Sequence, residues 1–122
     1  FGLPTFFVGD QMFFGKDQLR EMLVTIKRTA LAKRAMALDA EGIPAKAVEC
    51  GKTFIEQYNV DPLARDSDMA LYNAMVCFEK GEAWASSLKV FAVFEQHFAK
   101  SALFTKAKGM AAVAKTKLGK TP

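Results

Sequence analysis

The side chains best suited to catalysis or metal binding are few and scattered in this chain. Cys50 and Cys77 lie far apart without a C-x-x-C motif, and His97 is the only histidine. Zinc sites and cysteine nucleophiles need further Cys, His or acidic partners, so we predict no catalytic residue, no metal site and no cofactor. Each cysteine lies in an apolar helical pattern, where a free thiol acts as a small hydrophobe. We expect two free cysteines, with a disulfide as the alternative.

Lysine side chains dominate the C-terminal part and account for much of the net charge of +4. Such a run could contact nucleic acid or anionic lipid. It contains no Arg cluster and only one interleaved aromatic residue, Phe104, so a solvated helix face is favoured and nucleic-acid binding is disfavoured. The lysines of this run are Lys100, Lys106, Lys108, Lys115, Lys117 and Lys120.

The overall composition is that of a globular protein. The chain has 122 residues, of which 51% are hydrophobic and 25% charged, which suits one domain or a short repeat array. No apolar run approaches the roughly 18 residues of a membrane-spanning helix, so no transmembrane segment is predicted. The compartment stays open between cytoplasm and periplasm, with the cytoplasm slightly favoured.

The first fourteen residues favour β structure. Two β-prone runs, residues 5–8 and 11–14, flank Gly9-Asp10, a pair typical of a tight hairpin turn. Because the runs carry phenylalanines on both faces, we expect this hairpin to belong to a larger sheet covered on both sides. The alternatives are self-association through the Phe-rich hairpin, or folding of the hairpin onto the chain's own helices.

The rest of the chain shows helical periodicity. The series Leu19, Met22, Leu23 and Ile26 follows the i, i+3, i+4, i+7 spacing of one helix face. Pro44 suits the first turn of the next helix, and Gly42 and Gly81 suit helix ends. The predicted helices span about residues 17–41, 44–58, 66–80, 82–98 and 101–118.

A repeat of 38 to 40 residues organises these helices. Gly42, Gly81 and Gly119 each end a helix, and residues 54–58 (FIEQY) are echoed by residues 94–98 (FEQHF). A helix pair repeated at this period must stack on its neighbours to bury its apolar side. We therefore predict a mainly α fold: a short antiparallel helix-pair solenoid of about five helices, preceded by the N-terminal β-hairpin.

The segment ALYNAMVCFEKG (residues 70–81), followed by Trp84, Leu88, Phe91 and Phe94, resembles a tetratricopeptide repeat. The resemblance extends more weakly over residues 28–119, with a period longer than usual, as in variant repeats of bacterial envelope and assembly proteins. It implies a protein-binding scaffold whose first helices line a concave groove. The family's packing roles would fall to Leu71, Ala74, Phe78, Gly81, Ser87 and Phe91.

The segment FGLPTFFVGDQMFFGKDQLR (residues 1–20) resembles the C-terminal end of the thioredoxin-fold family of disulfide oxidoreductases and 2-hydroxychromene-2-carboxylate isomerases. The resemblance implies a cis Pro4 and a Leu3 backbone that faces a bound peptide or glutathione. Neither Cys50 nor Cys77 replaces the family's catalytic Cys or Ser. We therefore divide the chain into residues 1–24, an incomplete thioredoxin-like end, and residues 25–122, the repeat domain.

Two functions follow from these resemblances. The first is an interaction scaffold that binds a peptide or partner protein in the repeat groove. The alternative is the C-terminal fragment of a thioredoxin-fold oxidoreductase or glutathione-dependent isomerase whose catalytic part is absent, so the chain as given is not expected to be an enzyme. The scaffold interpretation assigns partner binding to Tyr72, Asn73, Val76, Lys80 and Lys106. The alternative, which is favoured, is that Tyr72 packs between helices and the polar side chains are solvated.

Overall fold

The computed structural model describes residues 16–119 and confirms a mainly α fold. The predicted hairpin of residues 5–14 lies outside the described residues, and the part of the chain that is described contains no strand. None of the described helices is long and apolar enough to cross a bilayer. The five helices are α1 (Lys16–Ala40), α2 (Pro44–Val60), α3 (Ser67–Lys80), α4 (Trp84–His97) and α5 (Phe104–Gly119).

The predicted helix ends agree with the observed ones to within three residues. Gly42 ends α1 in the left-handed region at φ 69°, and Pro44 opens α2, where its missing N–H costs nothing. The fifth helix begins later than predicted. Ser101 accepts a hydrogen bond from the Leu103 N–H at 3.0 Å and holds the turn before α5.

The left-handed turn at the end of α3 is not made by the predicted glycine. Gly81 has an ordinary φ of −88°, and Glu82 occupies the left-handed region instead, at φ 58°. The Ala83 N–H donates to the Phe78 carbonyl and the Glu82 N–H to the Glu79 carbonyl, which is a Schellman motif. A Cβ at Gly81 would lie 2.9 Å from the Pro44 carbonyl oxygen. Gly81 therefore serves close helix packing, whereas Glu82 makes the turn.

Replacing Glu82 by glycine is expected to stabilise the protein by about 1 kcal/mol, because a left-handed residue with a Cβ costs about 1–2 kcal/mol and glycine avoids most of that cost. Urea unfolding of Glu82→Gly against the parent chain would measure the gain. Ala85→Gly, at an exposed position of α4, is the control and should destabilise. An unchanged or lower midpoint for Glu82→Gly would contradict this assignment of the turn.

Each helix packs against the next one along the chain, and among alternate helices α3 also packs against α5. The Arg28 Nε–H donates to the Gln57 carbonyl at 3.4 Å between α1 and α2, and the Ser87 hydroxyl donates to Glu79 at 2.7 Å between α4 and α3. Lys80 of α3 reaches Asp39 of α1. Helices that follow one another in the chain are therefore also the main packing neighbours in the fold.

The core fills the space between the helices with aromatic and small side chains. Phe94 is fully buried, with ring centroids 6.4 Å from Phe104 and 5.8 Å from Phe98. Tyr58 and Phe98, equivalent positions in the echoed segments, meet edge to face at 6.3 Å. The residues to which the tetratricopeptide resemblance gives packing roles are buried or partly buried: Leu71, Ala74, Phe78, Gly81, Ser87 and Phe91.

About the first third of α1 extends beyond the end of α2. At 1.5 Å per residue, the 25 residues of α1 span about 37 Å and the 17 residues of α2 about 26 Å. The apolar series Leu19, Met22, Leu23 and Ile26 consequently remains 47–66% exposed. The helical period was predicted correctly, but the described helices do not cover this face. Helix α1 also runs unbroken across residues 24 and 25, where the sequence places a domain boundary.

A half-buried carboxylate links α3 to α4. Burial raises the pKa of Glu79 above its ordinary value of 4.5, and the hydrogen bond from Ser87 opposes part of that rise. The folded chain therefore holds this proton more tightly than the unfolded chain. Stability should fall as the pH rises through the folded pKa, and the loss should be absent below the unfolded pKa.

Replacing Glu79 by glutamine is expected to remove this pH-dependent cost while keeping an oxygen that accepts from Ser87. The stability of Glu79→Gln relative to the parent chain should increase between about pH 4 and about pH 7. Urea midpoints at the two pH values would measure it, with Glu56→Gln, at an exposed carboxylate on α2, as the control. A relative stability that decreases over this range would contradict the raised pKa.

Candidate partner-binding groove

A groove runs between α1 and α3 with α2 beneath it. Met36 and Asp39 come from α1, and Asn73, Val76 and Cys77 come from α3. The α3 positions share one helix face because they are three and four residues apart. Phe54 of α2 forms the floor, and the cavity measures about 180 Å³. The groove thus offers an apolar floor with an amide and a carboxylate on its walls.

An ion pair closes one end of this groove. The Lys80 ammonium lies 2.9 Å from Oδ1 and 3.1 Å from Oδ2 of Asp39, with side chains that are 55% and 33% exposed. A partner carboxylate that sought Lys80 would have to compete with Asp39. Because exposed ion pairs contribute only about 0–1 kcal/mol, this exchange would cost little.

The sequence-predicted partner-binding residues separate into two sets. Asn73 and Val76 line the groove and Lys80 stands at its edge. Tyr72 packs against the buried core, and Lys106 lies exposed on α5, away from the groove lining. The thioredoxin-like positions Leu3 and Pro4 lie outside the described residues.

The α1 wall of the groove was missed by the sequence analysis. Met36 and Asp39 each precede their α3 neighbours, Asn73 and Val76, by 37 residues, close to the repeat period. The repeat period therefore contained the signal. A residue on the groove face of the first helix of one repeat predicts an equivalent residue on the first helix of the next repeat. The partner-binding residues predicted from the sequence came from α3 and, with Lys106, from α5, and none came from α1.

The expectation of two free cysteines is wrong, because Cys50 and Cys77 form a disulfide between α2 and α3, with Cα atoms 5.8 Å apart. Cys50 lies ten residues before the end of α2 at Val60, and Cys77 ten residues after the start of α3 at Ser67. Residues equidistant from the loop of an antiparallel helix hairpin face each other, and this symmetry was the overlooked signal.

A second cleft, larger and more apolar, opens between α2 and α4 with α3 as its floor. It measures about 410 Å³, and the exposed lysines Lys52 and Lys89 flank it. None of the partner-binding residues predicted from the sequence lines this cleft. Its apolar lining includes Ile55, Tyr58, Leu71, Phe78, Val90 and Val93.

The lysines of the C-terminal part do not form one basic stripe. At 100° per residue, Lys106 and Lys117 fall on one flank of α5, and Lys108 and Lys115 on the other. The buried Ala107, Ala111 and Ala114 lie on the face between the two flanks. The Lys117 ammonium lies 5.9 Å from the centroid of the Trp84 ring. This split favours solvated flanks over a nucleic-acid surface.

Comparison with protein-family models, with curated proteins and with solved structures finds no match for this chain. Both resemblances therefore remain predictions. The function is inferred below from the side chains and their geometry.

Proposed function

We propose that this chain is a protein-interaction scaffold: a short solenoid of antiparallel helix pairs that binds an extended segment of a partner protein in the groove between α1 and α3. The observation that carries the proposal is the groove itself, which is lined by residues of two helices one repeat apart, Met36 and Asp39 on α1 and Asn73 and Val76 on α3, each pair offset by 37 residues. Stacked helix pairs create extended concave surfaces of this kind.

The chemistry of the groove suits a peptide that carries a carboxylate. The Asn73 amide both donates and accepts, so it can pair with the N–H and C=O of an extended backbone. Met36, Phe54 and Val76 provide apolar contact for a side chain of the peptide. Lys80 supplies a cation at the edge, and a peptide carboxylate would replace Asp39 as its partner. We therefore expect peptides with a C-terminal or acidic carboxylate next to an apolar residue.

The proposal is tested by selection from a library of random peptides with free C-terminal carboxylates, followed by affinity measurement on purified protein. Val76→Glu should weaken binding of the selected peptides at least tenfold, because it places a charge against the apolar floor and repels a carboxylate. Lys80→Met should weaken the binding of peptides that carry a C-terminal carboxylate more than the binding of their C-terminally amidated forms. Val93→Glu, at a position in the α2–α4 cleft that is also partly buried, is the matched control.

Peptides whose affinity falls with Val93→Glu and not with Val76→Glu would overturn the assignment to the α1–α3 groove. Failure to enrich any sequence over the starting library would count against the scaffold function itself. Circular dichroism of each variant, compared with the parent chain, separates a lost contact from a lost fold.

A further inference from the structure

Three potential metal ligands converge beside the groove. The Asp39 carboxylate of α1 and the Sγ atoms of Cys50 and Cys77 lie within 4.8 Å of one another. Three different helices supply them, so stacking of the helices brings the ligands together. Both cysteines are buried, Asp39 is partly exposed, and Cys77 also lines the groove, which provides a path from solvent.

This donor set suits zinc once the disulfide is reduced. Thiolate sulfur and carboxylate oxygen are both zinc ligands, at about 2.3 Å and about 2.0–2.2 Å, and three protein ligands leave a fourth tetrahedral position open. Thiolates in such a site lie about 3.8 Å apart, within the spread of the present cluster. Reduction separates the two sulfurs and thereby makes room for the ion.

The surroundings of the cluster also fit a metal. Two thiolates and a carboxylate around Zn²⁺ carry one net negative charge, and the Lys80 ammonium beside Asp39 compensates it. A carboxylate has two oxygens, so Asp39 can offer one to the ion and keep the other on Lys80. Residues that hold a metal ligand through a hydrogen bond or ion pair orient that ligand, and mutating them typically lowers metal affinity about 10–100-fold.

We propose that the reduced chain binds one zinc ion through Cys50, Cys77 and Asp39, with the fourth coordination position facing the α1–α3 groove. A dithiol reductant supplies two electrons and two protons to the disulfide and is itself oxidised to a disulfide. Zn²⁺ then displaces both thiol protons to solvent and forms two Zn–S bonds and one Zn–O bond. The oxidised chain lacks the site because its sulfurs are bonded to each other. This inference does not rest on the proposed function.

The test uses Zn²⁺ and Co²⁺ alone as probes on the full chain, oxidised or reduced with a phosphine. The reduced chain should bind one Co²⁺ with a sulfur-to-cobalt charge-transfer band and the visible bands of tetrahedral cobalt, and Zn²⁺ should displace it. Zn²⁺ should also protect both cysteines from alkylation. The oxidised chain should show none of these signals.

Substitutions separate this site from adventitious binding. Asp39→Asn should weaken zinc binding at least tenfold, whereas Glu41→Gln, an exposed carboxylate two residues along, should leave it unchanged. Cys50→Ser with Cys77→Ser should abolish the cobalt spectrum. The proposal is overturned if the oxidised chain or this double variant binds equally well, if Asp39→Asn has no effect, or if the reduced chain binds neither ion. A reduced chain that is unfolded and gains no helix on adding zinc also overturns it.

Discussion

Reduction of the Cys50–Cys77 disulfide is expected to lower the free energy of unfolding by about 3.5 kcal/mol in metal-free buffer. The two cysteines are 27 residues apart. A cross-link that closes a loop of this length lowers the conformational entropy of the unfolded state, and the loss is equivalent to about 3.5 kcal/mol at 25 °C. Domains of this size are stable by only about 5–15 kcal/mol. Reduction should therefore remove a large share of the total free energy of unfolding.

Urea unfolding with and without a phosphine reductant, both in the presence of a chelator, would measure this effect. Cys50→Ala with Cys77→Ala is the control, since its unfolding midpoint should not respond to the reductant. An equal midpoint for the oxidised and reduced parent chain would contradict the expected contribution. Adding zinc in place of the chelator should then recover stability in the reduced chain alone, as mass action requires of a ligand that binds the folded state.

Replacing Gly51 by alanine is expected to destabilise the protein by about 2 kcal/mol. A Cβ at this position would lie 2.6 Å from Cδ1 and 2.7 Å from Cε1 of the Phe78 ring. Phe78 is only 4% exposed, so its ring has little room to move, and overpacking of this kind costs about 1–3 kcal/mol or more. The clash outweighs the roughly 1 kcal/mol by which alanine is the better helix former.

Gly109 provides the matched control for this prediction. It is also a glycine within a helix, but a Cβ there would meet nothing within 4 Å, so Gly109→Ala should stabilise by about 1 kcal/mol. Adding Phe78→Leu to Gly51→Ala should recover part of the loss, because the smaller side chain leaves space for the methyl group. Urea unfolding of the variants would measure each change. Equal effects at Gly51 and Gly109 would contradict the close approach of α2 to α3.

The helical segments were predictable because their signals are local. Apolar spacing of three and four residues, Pro44 at a helix start and Gly42 at a helix end depend on nearby residues only. The 38- to 40-residue period also placed Tyr58 and Phe98 in equivalent positions, and their rings do meet. The groove residues Asn73 and Val76 followed from the face of one helix, whereas Tyr72 and Lys106 lie away from it.

The errors concern contacts between helices. The prediction from sequence gave Gly81 both the helix end and a packing role, whereas Gly81 allows α2 to approach and the left-handed turn falls on Glu82. It treated Cys50 and Cys77 as independent hydrophobes, although their equal distances from the α2–α3 loop bring them together. Nor did it anticipate that Asp39, eleven residues before Cys50, lies near both cysteines in space.

The sequence by itself determined where the helices lie, how often the pattern repeats and which face of each helix is apolar, because these properties depend on residues within a few turns of one another. The tertiary structure alone decided which side chains from different helices meet: Asp39 with Lys80 and the cysteines, and Gly51 with Phe78. The physical reason is that the offset and distance between packed helices depend on the size of the interlocking side chains. Only the folded chain fixes those quantities.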